Sequence, residues 1–341
     1  MKGFLAGVAL VAALFVVNGL FTGTLVAGVS ISPYLLQVIC LAGINIILAV
    51  SLNLINGFTG QFSIGHAGFM AIGAYSSAYV SYTFGERIRA ALSFLPEFGR
   101  ESAVLLAALA VGAVLASVAG FLVGVPSLRL RGDYLAIVTL GFGEIIRVFI
   151  LNIDAVGGAR GFSGISKLAN FFWIYLFAAA SILVVSRIVR SSFGRTLIAI
   201  REDEIAAEAM GVDTTRSKVI SFVVSSAMAG IGGGLFGHYL MYLHTNSFTF
   251  IKSIEIIIMI VIGGLGSITG SVLGAVLYIF LTEGLREFAQ YRMVLFSLLL
   301  IIIMIVRPQG ILGHREFWQF FRRKRRMDAD AAAGPSLKAE G

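Results

Sequence analysis

The sequence predicts an all-α fold, a polytopic bundle of helices that cross a membrane. Composition, run length and charge placement predict it. Hydrophobic residues make up 58% of the 341 positions and charged residues 13%, with a mean hydropathy of +0.93. Soluble domains carry about 25% charged residues. Apolar runs of about 20 residues recur along the chain, each long enough to cross a hydrocarbon core of ~30 Å. Lys and Arg collect between those runs, as they do in the loops that flank membrane spans. Helices satisfy their own backbone polar groups in lipid. A transmembrane β-barrel would alternate polar and apolar residues over ~10-residue segments, whereas the runs here are continuous.

About ten spans follow, near 4–21, 34–52, 62–83, 103–124, 133–151, 171–188, 219–243, 253–263, 271–287 and 293–306. The first reads either as a retained helix or as a cleaved signal peptide, with Lys2 before it and Val26-Ala27-Gly28 after it. The eighth is short and ends in the Gly-rich turn from Gly263 to Gly270. With ten spans, three basic clusters share one side with Lys2. They are Arg129 with Arg131; Arg187, Arg190, Arg195, Arg201, Arg216 and Lys218; and Arg322, Arg323, Lys324, Arg325 and Arg326. The positive-inside rule makes that side the cytoplasm and places both termini there. The opposite loop from Phe84 to Ser102 is nearly balanced, with Arg87, Arg89 and Arg100 against Glu86, Glu97 and Glu101. Residues 1–313 then form one transmembrane domain with a cytoplasmic loop at 189–218. Residues 314–341 form a tail that is first basic and then small and polar, a disordered composition.

Enzyme signals are sparse. No Gly-Lys dipeptide occurs, so the chain carries no P-loop for ATP. His66, His238, His244 and His314 show no metal-ligand spacing, and no metal site is expected. The net charge of +8 sits beside apolar spans rather than along a groove, which disfavours nucleic acid. Cys40, the sole cysteine, lies in an apolar span and reads as packing. Gly232, Gly234 and Gly237 spell G-x-G-x-x-G inside a span, where close helix packing explains them. Small-xxx-small pairs recur at Gly120/Gly124, Gly230/Gly234, Gly233/Gly237, Gly266/Gly270 and Gly270/Gly274, and imply a compact bundle.

Three features break the apolar monotony. The segment Asn53 to Tyr75 is interrupted by five glycines and made polar by Asn53, Asn56, Gln61, Ser63 and His66. Irregular polar backbone at membrane depth is tolerated where protein covers it or where it lines a cavity, so the segment reads as the lining of a translocation path or as a structural re-entrant turn. Charges within spans come at i, i+3 spacing: Glu144 with Arg147, Lys252 with Glu255 near the outer surface, and Glu283 with Arg286. Each has a local partner, so a structural charge pair is expected, above all for Glu144 and Arg147. The third feature is the central loop. From Thr196 to Met210 apolar and acidic residues alternate at helical spacing, and Gly211 ends the run as a C-terminal cap would. This predicts one amphipathic helix along the cytoplasmic face. It is either a surface helix of the bundle or a docking helix, and its acidic cluster disfavours simple adhesion to anionic lipid.

At this loop the chain resembles a known family. Ile205-Ala206-Ala207-Glu208-Ala209-Met210-Gly211 is similar to the EAA-x-x-x-G coupling motif of ABC importer permeases, with Ile205 where Glu is the rule and Glu204 one place earlier. The motif Asn53 to Gly57, the run Gly65-His66-Ala67-Gly68-Phe69, the stretch Arg131 to Gly141, Gly263 to Ser267, and Arg307-Pro308-Gln309-Gly310 resemble LivM-type permease subunits of branched-chain amino acid importers. The resemblance spans roughly residues 35–313. It implies a bundle like that of the ten-helix ABC importers, with coupling to an ATPase through Glu204, Ile205, Ala206, Ala207, Glu208 and Gly211. It adds Thr139 to Asn53, Asn56, Gln61, Ser63 and His66 as candidate path residues. The implied partners are a second homologous permease subunit, two cytoplasmic ATPases and a periplasmic binding protein. The chain itself would bind no cofactor, because the partners use the ATP. The alternative class is an ion-coupled secondary carrier, whose mark would be unpaired buried acids on broken helices.

Overall fold

The computed structural model describes residue 14, residues 32–127, 132–286 and 290–306, and residues 310, 311 and 313. Eleven α-helices run through them: α1 Pro33–Asn53, α2 His66–Ala91, α3 Glu97–Ser127, α4 Asp133–Leu151, α5 Phe171–Arg190, α6 Ser192–Glu202, α7 Glu204–Ala209, α8 Thr214–Leu240, α9 Phe250–Gly263, α10 Ile268–Gly284 and α11 Arg292–Val306. No strand occurs among the described residues; the one β-bridge pairs Phe162 with Leu243. Nine helices match nine of the ten expected spans. The first span, Leu14 apart, lies outside the described residues, as do Arg129, Arg131 and the tail from residue 314. Five segments are long and apolar enough to cross a membrane: Pro33–Phe58, Glu97–Ser127, Tyr134–Leu151, Phe171–Arg190 and Thr214–Leu240.

Helix α1 is the centre of the bundle. Every residue from 42 to 59 is buried, and α5, α8, α9 and α10 surround it. A helix apolar on all faces belongs in such an enclosed position. A five-residue π turn, Leu54–Phe58, continues α1 and then breaks it. The chain runs through 59–65 without helix before α2 begins at His66.

Helices α2, α3 and α8 form the tightest unit, and glycine is the cause. A Cβ on Gly73 of α2 would collide with the backbone of Gly230 in α8. A Cβ on Gly230 would sit 2.6 Å from Ala116 Cβ and 3.0 Å from the Gly112 carbonyl of α3. Gly233 abuts the Met70 carbonyl, and Gly120 lies against Ser226. The glycines of the G-x-G-x-x-G pattern pack likewise: Gly232 on Leu48, Gly234 on Leu109 and Ser77, Gly237 on Leu243. Without a hydrophobic force between helices in lipid, such backbone proximity and dispersion contact supply the association. His238 adds a polar pin, with Nδ1 2.8 Å from the Gly234 carbonyl and Nε2 2.9 Å from Ser81 Oγ on α2. Helices α9 and α10 meet through Gly263, Gly270 and Gly274 in the same way.

Two expectations are corrected. The loop expected from Phe84 to Ser102 shrinks to the residues between Ala91 and Glu97, because both helices extend beyond the apolar run. Arg89 on α2 binds Glu101 on α3 at 2.9 and 3.2 Å and Glu86 at 3.4 Å, so these charges fasten two helix ends together. The single helix expected from Thr196 to Met210 is two, α6 and α7, broken at Asp203. The Lys252–Glu255 pair forms as its spacing suggests: Lys252 Nζ is 3.0 Å from Glu255 Oε2 and also 3.4 Å from Asn45 Oδ1 of α1. Helix α9 has 14 residues, so it rises about 21 Å, and its first two residues, Phe250 and Ile251, are exposed.

Replacing Gly73 with Val should drive α2 and α8 apart and cost about 1–3 kcal/mol. Gly141, with nothing within 4 Å of its Cβ position, serves as the contrast. In mild detergent the melting temperature should fall for Gly73→Val and hold or rise slightly for Gly141→Ala. Equal behaviour of the two variants would refute the packing account.

Candidate functional site

The site is built where α6, which leads into α7, meets the interruption of α1. Ser191 caps α6, its Oγ accepting from Gly194 N at 3.2 Å. The helix turns Leu197 and Ile200 into the bundle. Asp203 then stops it. Its carboxylate accepts from Ile205 N at 2.9 Å and Ala206 N at 3.0 Å, so it caps α7 rather than continuing α6. Gly211, with φ +85°, closes α7 in the left-handed conformation, and Val212 N donates to the Ala207 carbonyl at 3.1 Å.

This short helix has two faces. Ala207 is buried, and Glu204 and Glu208 bind α8: Glu204 Oε1 lies 2.6 Å from Lys218 Nζ, and Glu208 Oε1 accepts from Thr214 Oγ1 at 2.6 Å. The Lys218 side chain is 2% exposed. Removing Glu204 takes the carboxylate from the enclosed Lys218 ammonium, a change that costs about 3–5 kcal/mol for a buried pair. The other face holds Ile205, 67% exposed, Ala206, and Met210, 84% exposed. Of the six residues expected to couple, Ile205, Ala206 and Gly211 face outward, Ala207 packs inward, and the two glutamates hold the helix to α8.

The interruption itself is a network. Thr59 Oγ1 donates to the Leu54 carbonyl at 2.8 Å, and Gln61 N donates to the Ile55 carbonyl at 3.1 Å. Asn56 and Ser63 bond across the loop at 3.3 and 3.2 Å. Thr139 Oγ1 on α4 accepts from Ile64 N at 3.1 Å. Asn53 stands apart, clamping the Gly-rich turn: its Nδ2 donates to the Ser267 carbonyl and its Oδ1 accepts from Gly266 N, both at 2.9 Å. His66 Nε2 lies 2.8 Å from Ser51 Oγ, whose own proton goes to the Leu48 carbonyl at 2.9 Å. Either tautomer of the ring can make the Ser51 contact, and Nδ1 is the nitrogen left without a partner. Both His66 Nδ1 and Ser63 Oγ are buried without a hydrogen-bond partner. Asn56 and Ser63 are thus brought together, Thr139 bonds the neighbouring Ile64, His66 turns to Ser51 on α1, Gln61 is half-buried, and Asn53 serves the turn.

Two features escaped the sequence reading. Arg201 Nη1 donates to the Gly57 carbonyl at 3.1 Å. Its position four residues after Leu197, on the buried face of α6, was the available signal. Glu144 does more than pair with Arg147 at 2.7 Å; its Oε1 accepts from Phe250 N at 3.1 Å and so caps α9 from another helix. No group of three or more potential metal ligands occurs among the described residues.

Comparison with known proteins gives one consistent answer. Residues 34–307 match the family described as the branched-chain amino acid transport system permease component. The chain is 38% identical over 307 residues to the high-affinity branched-chain amino acid transport system permease protein LivM of Salmonella typhimurium, covering 79% of this chain and 68% of that protein. A probable LivM of Methanocaldococcus jannaschii is 27% identical over 316 residues, 80% of this chain and 91% of the relative. The LivH permease of Salmonella typhimurium is 33% identical over 166 residues, 47% of this chain and 53% of that protein. No solved structure matches the chain. The matched region runs from α1 to the end of α11 and takes in the interruption, α6–α7 and the Gly-rich turn, and this chain belongs to the family of branched-chain amino acid transport permease components.

Proposed function

We propose that this chain is the membrane-spanning subunit of an ABC importer for branched-chain or related amino acids. The single observation that carries the reading is the match of the whole described bundle to that permease family. The likeness to both a LivM and a LivH protein supports assembly with a second, related permease. Two ATPases on the cytoplasmic side and a periplasmic binding protein complete the machine. The α6–α7 end of the bundle faces the cytoplasm of an inner-membrane protein, with both termini on that side, on the basic clusters around it. Residues 1–313 are the permease domain and 314–341 a cytoplasmic tail. The relatives named above are all transport-system permeases, and no observation favours the secondary-carrier alternative.

In this reading α7 is the element the ATPase grips. Ile205, Ala206 and Met210 are its contact surface, Gly211 shapes its end, and Ala207, Glu204 and Glu208 seat it on α8. Exposed Ile205 and Met210 on a short capped helix have the apolar, mobile-side-chain character of interface anchors. Ser63 and His66, with Asn56, Gln61, Thr139 and Asn53 around them, lie on the path. Their support is the unspent capacity of Ser63 Oγ and His66 Nδ1 in a network otherwise satisfied. The Glu144–Arg147 pair is structural, holding the start of α9.

Two tests follow. Ile205→Glu should cut co-purification of the ATPase from mild detergent by about tenfold or more, the loss of a central apolar anchor, with membrane insertion unchanged. Retention of the ATPase would remove α7 from the interface. Ser63→Ala removes a hydroxyl with no partner, so the melting temperature should hold or rise. Uptake in reconstituted vesicles should fall severalfold, and unchanged uptake would leave the interruption with a structural role alone.

A further inference from the structure

Besides the Glu208–Thr214 bond, two ties of the α6–α7 segment to the bundle lie near the interruption of α1. The first tie is Arg201. While Nη1 holds the Gly57 carbonyl, Nη2 and Nε hold Glu202 Oε1 at 2.6 and 3.2 Å, so the guanidinium is oriented from both sides. The stem of Arg201 lies over Gly60: a Cβ there would come within 2.7 Å of Arg201 Cγ, and Gly60 has φ +73°. One side chain of α6 therefore covers the backbone at both ends of 57–60. The second tie is the enclosed pair Glu204–Lys218, which fixes the start of α7 to α8. Ser221, three residues beyond Lys218, lies 3.4 Å from Thr59 Oγ1, and Ser225 donates to the Ser51 carbonyl at 2.6 Å. Residues 57–60 thus lie between the Arg201 side chain of α6, which bonds Gly57, and Ser221 of α8, which is in contact with Thr59. From there the bonds Asn56–Ser63 and Thr139–Ile64 lead on to Ser63 and His66.

We infer that Arg201, together with the Glu204–Lys218 pair, is the positioning element that carries displacement of α6 and α7 into the interruption of α1. The inference rests on the docking role proposed for α7. A planar guanidinium presents several donors in fixed directions, so one group grips Gly57 and Glu202 at once. A chain of packed groups and hydrogen bonds of this kind can transmit motion between an interface and a distant site. Without it, α6 and α7 would still bind an ATPase, and the ATPase would still turn over, but the 57–66 segment would not follow.

The test uses the complete importer reconstituted in proteoliposomes, with ATP hydrolysis and uptake of radiolabelled leucine measured on the same vesicles and normalised to assembled complex. Arg201→Ala should leave hydrolysis within about twofold of the parent while uptake falls about tenfold, a coupling loss of the size seen when such networks are cut. ATP hydrolysed per leucine should rise accordingly. Arg201→Lys, which keeps one donor, should recover part of the ratio. The double variant Glu204→Gln, Lys218→Met removes the second tie without stranding a charge, and should raise the ratio in the same direction. An unchanged ratio in both the Arg201→Ala and the double variant, or a parallel fall in hydrolysis and uptake, overturns the inference. The Ile205→Glu variant separates this from the docking role. If it keeps its ATPase and transports, docking on α7 fails; if it loses the ATPase while the ratio is unchanged in both the Arg201→Ala and the double variant, only the transmission route fails.

Discussion

The chain leaves helical geometry between Phe58 and His66 within a helix bundle, with Gly60 and Phe62 exposed, and most of the backbone groups released there are met by protein. Much of the buried polar chemistry of the molecule answers that constraint. Thr59 returns to Leu54, Gln61 to Ile55, Ser63 to Asn56, Ile64 to Thr139, and Ala67 N to Ser253 Oγ at 3.1 Å. Arg201 reaches up from the surface to the Gly57 carbonyl. Four separate helices contribute to one short segment, so the segment cannot move without α4, α6, α8 or α9 registering it. An unmade bond in such a setting costs on the order of 1–3 kcal/mol, and the arrangement therefore has few ways to be wrong.

The second constraint is distance. The polar groups can meet only because glycines bring the helix axes close. Gly65 presses on the Thr139 carbonyl and Gly68 on Gly143, which brings the start of α2 onto α4. Gly57 lies against Gly266 N, which brings the Gly-rich turn within reach of Asn53. Close packing and hydrogen bonding are thus one design. The small residues set the spacing, and the amides, hydroxyls and Arg201 use it.

How far this could be read in the sequence depends on the range of each interaction. The glycine pairs on α8 and the i, i+3 ion pairs are local, and spacing alone displayed them. The cap at Gly211 was legible for the same reason. Asp203 was misread because apolar periodicity continues on both sides of it, and periodicity says nothing about a side chain that turns back to cap the following residues. The ends of α2 and α3 were missed because charges were assigned to a loop, whereas Arg89 and Glu101 face one another across two helices. Arg201 to Gly57 and Asn53 to Gly266 join residues 144 and 213 positions apart, and no local pattern records them. The family resemblance singled out the segment proposed to couple and the polar interruption but did not show that Arg201 joins them.

The charges held around the start of α9 have an electrical consequence. A single charge displaced across a membrane potential exchanges about 2.3 kcal/mol per 100 mV with the field. Glu144 with Arg147 and Lys252 with Glu255 each sum to zero. If α4 and α9 shift during a cycle while these pairs stay intact, the field does no net work on them. A zwitterionic cargo is likewise neutral. Motion of this region is then indifferent to the resting voltage of the cell, and its direction is left to whatever binds and releases at the two faces.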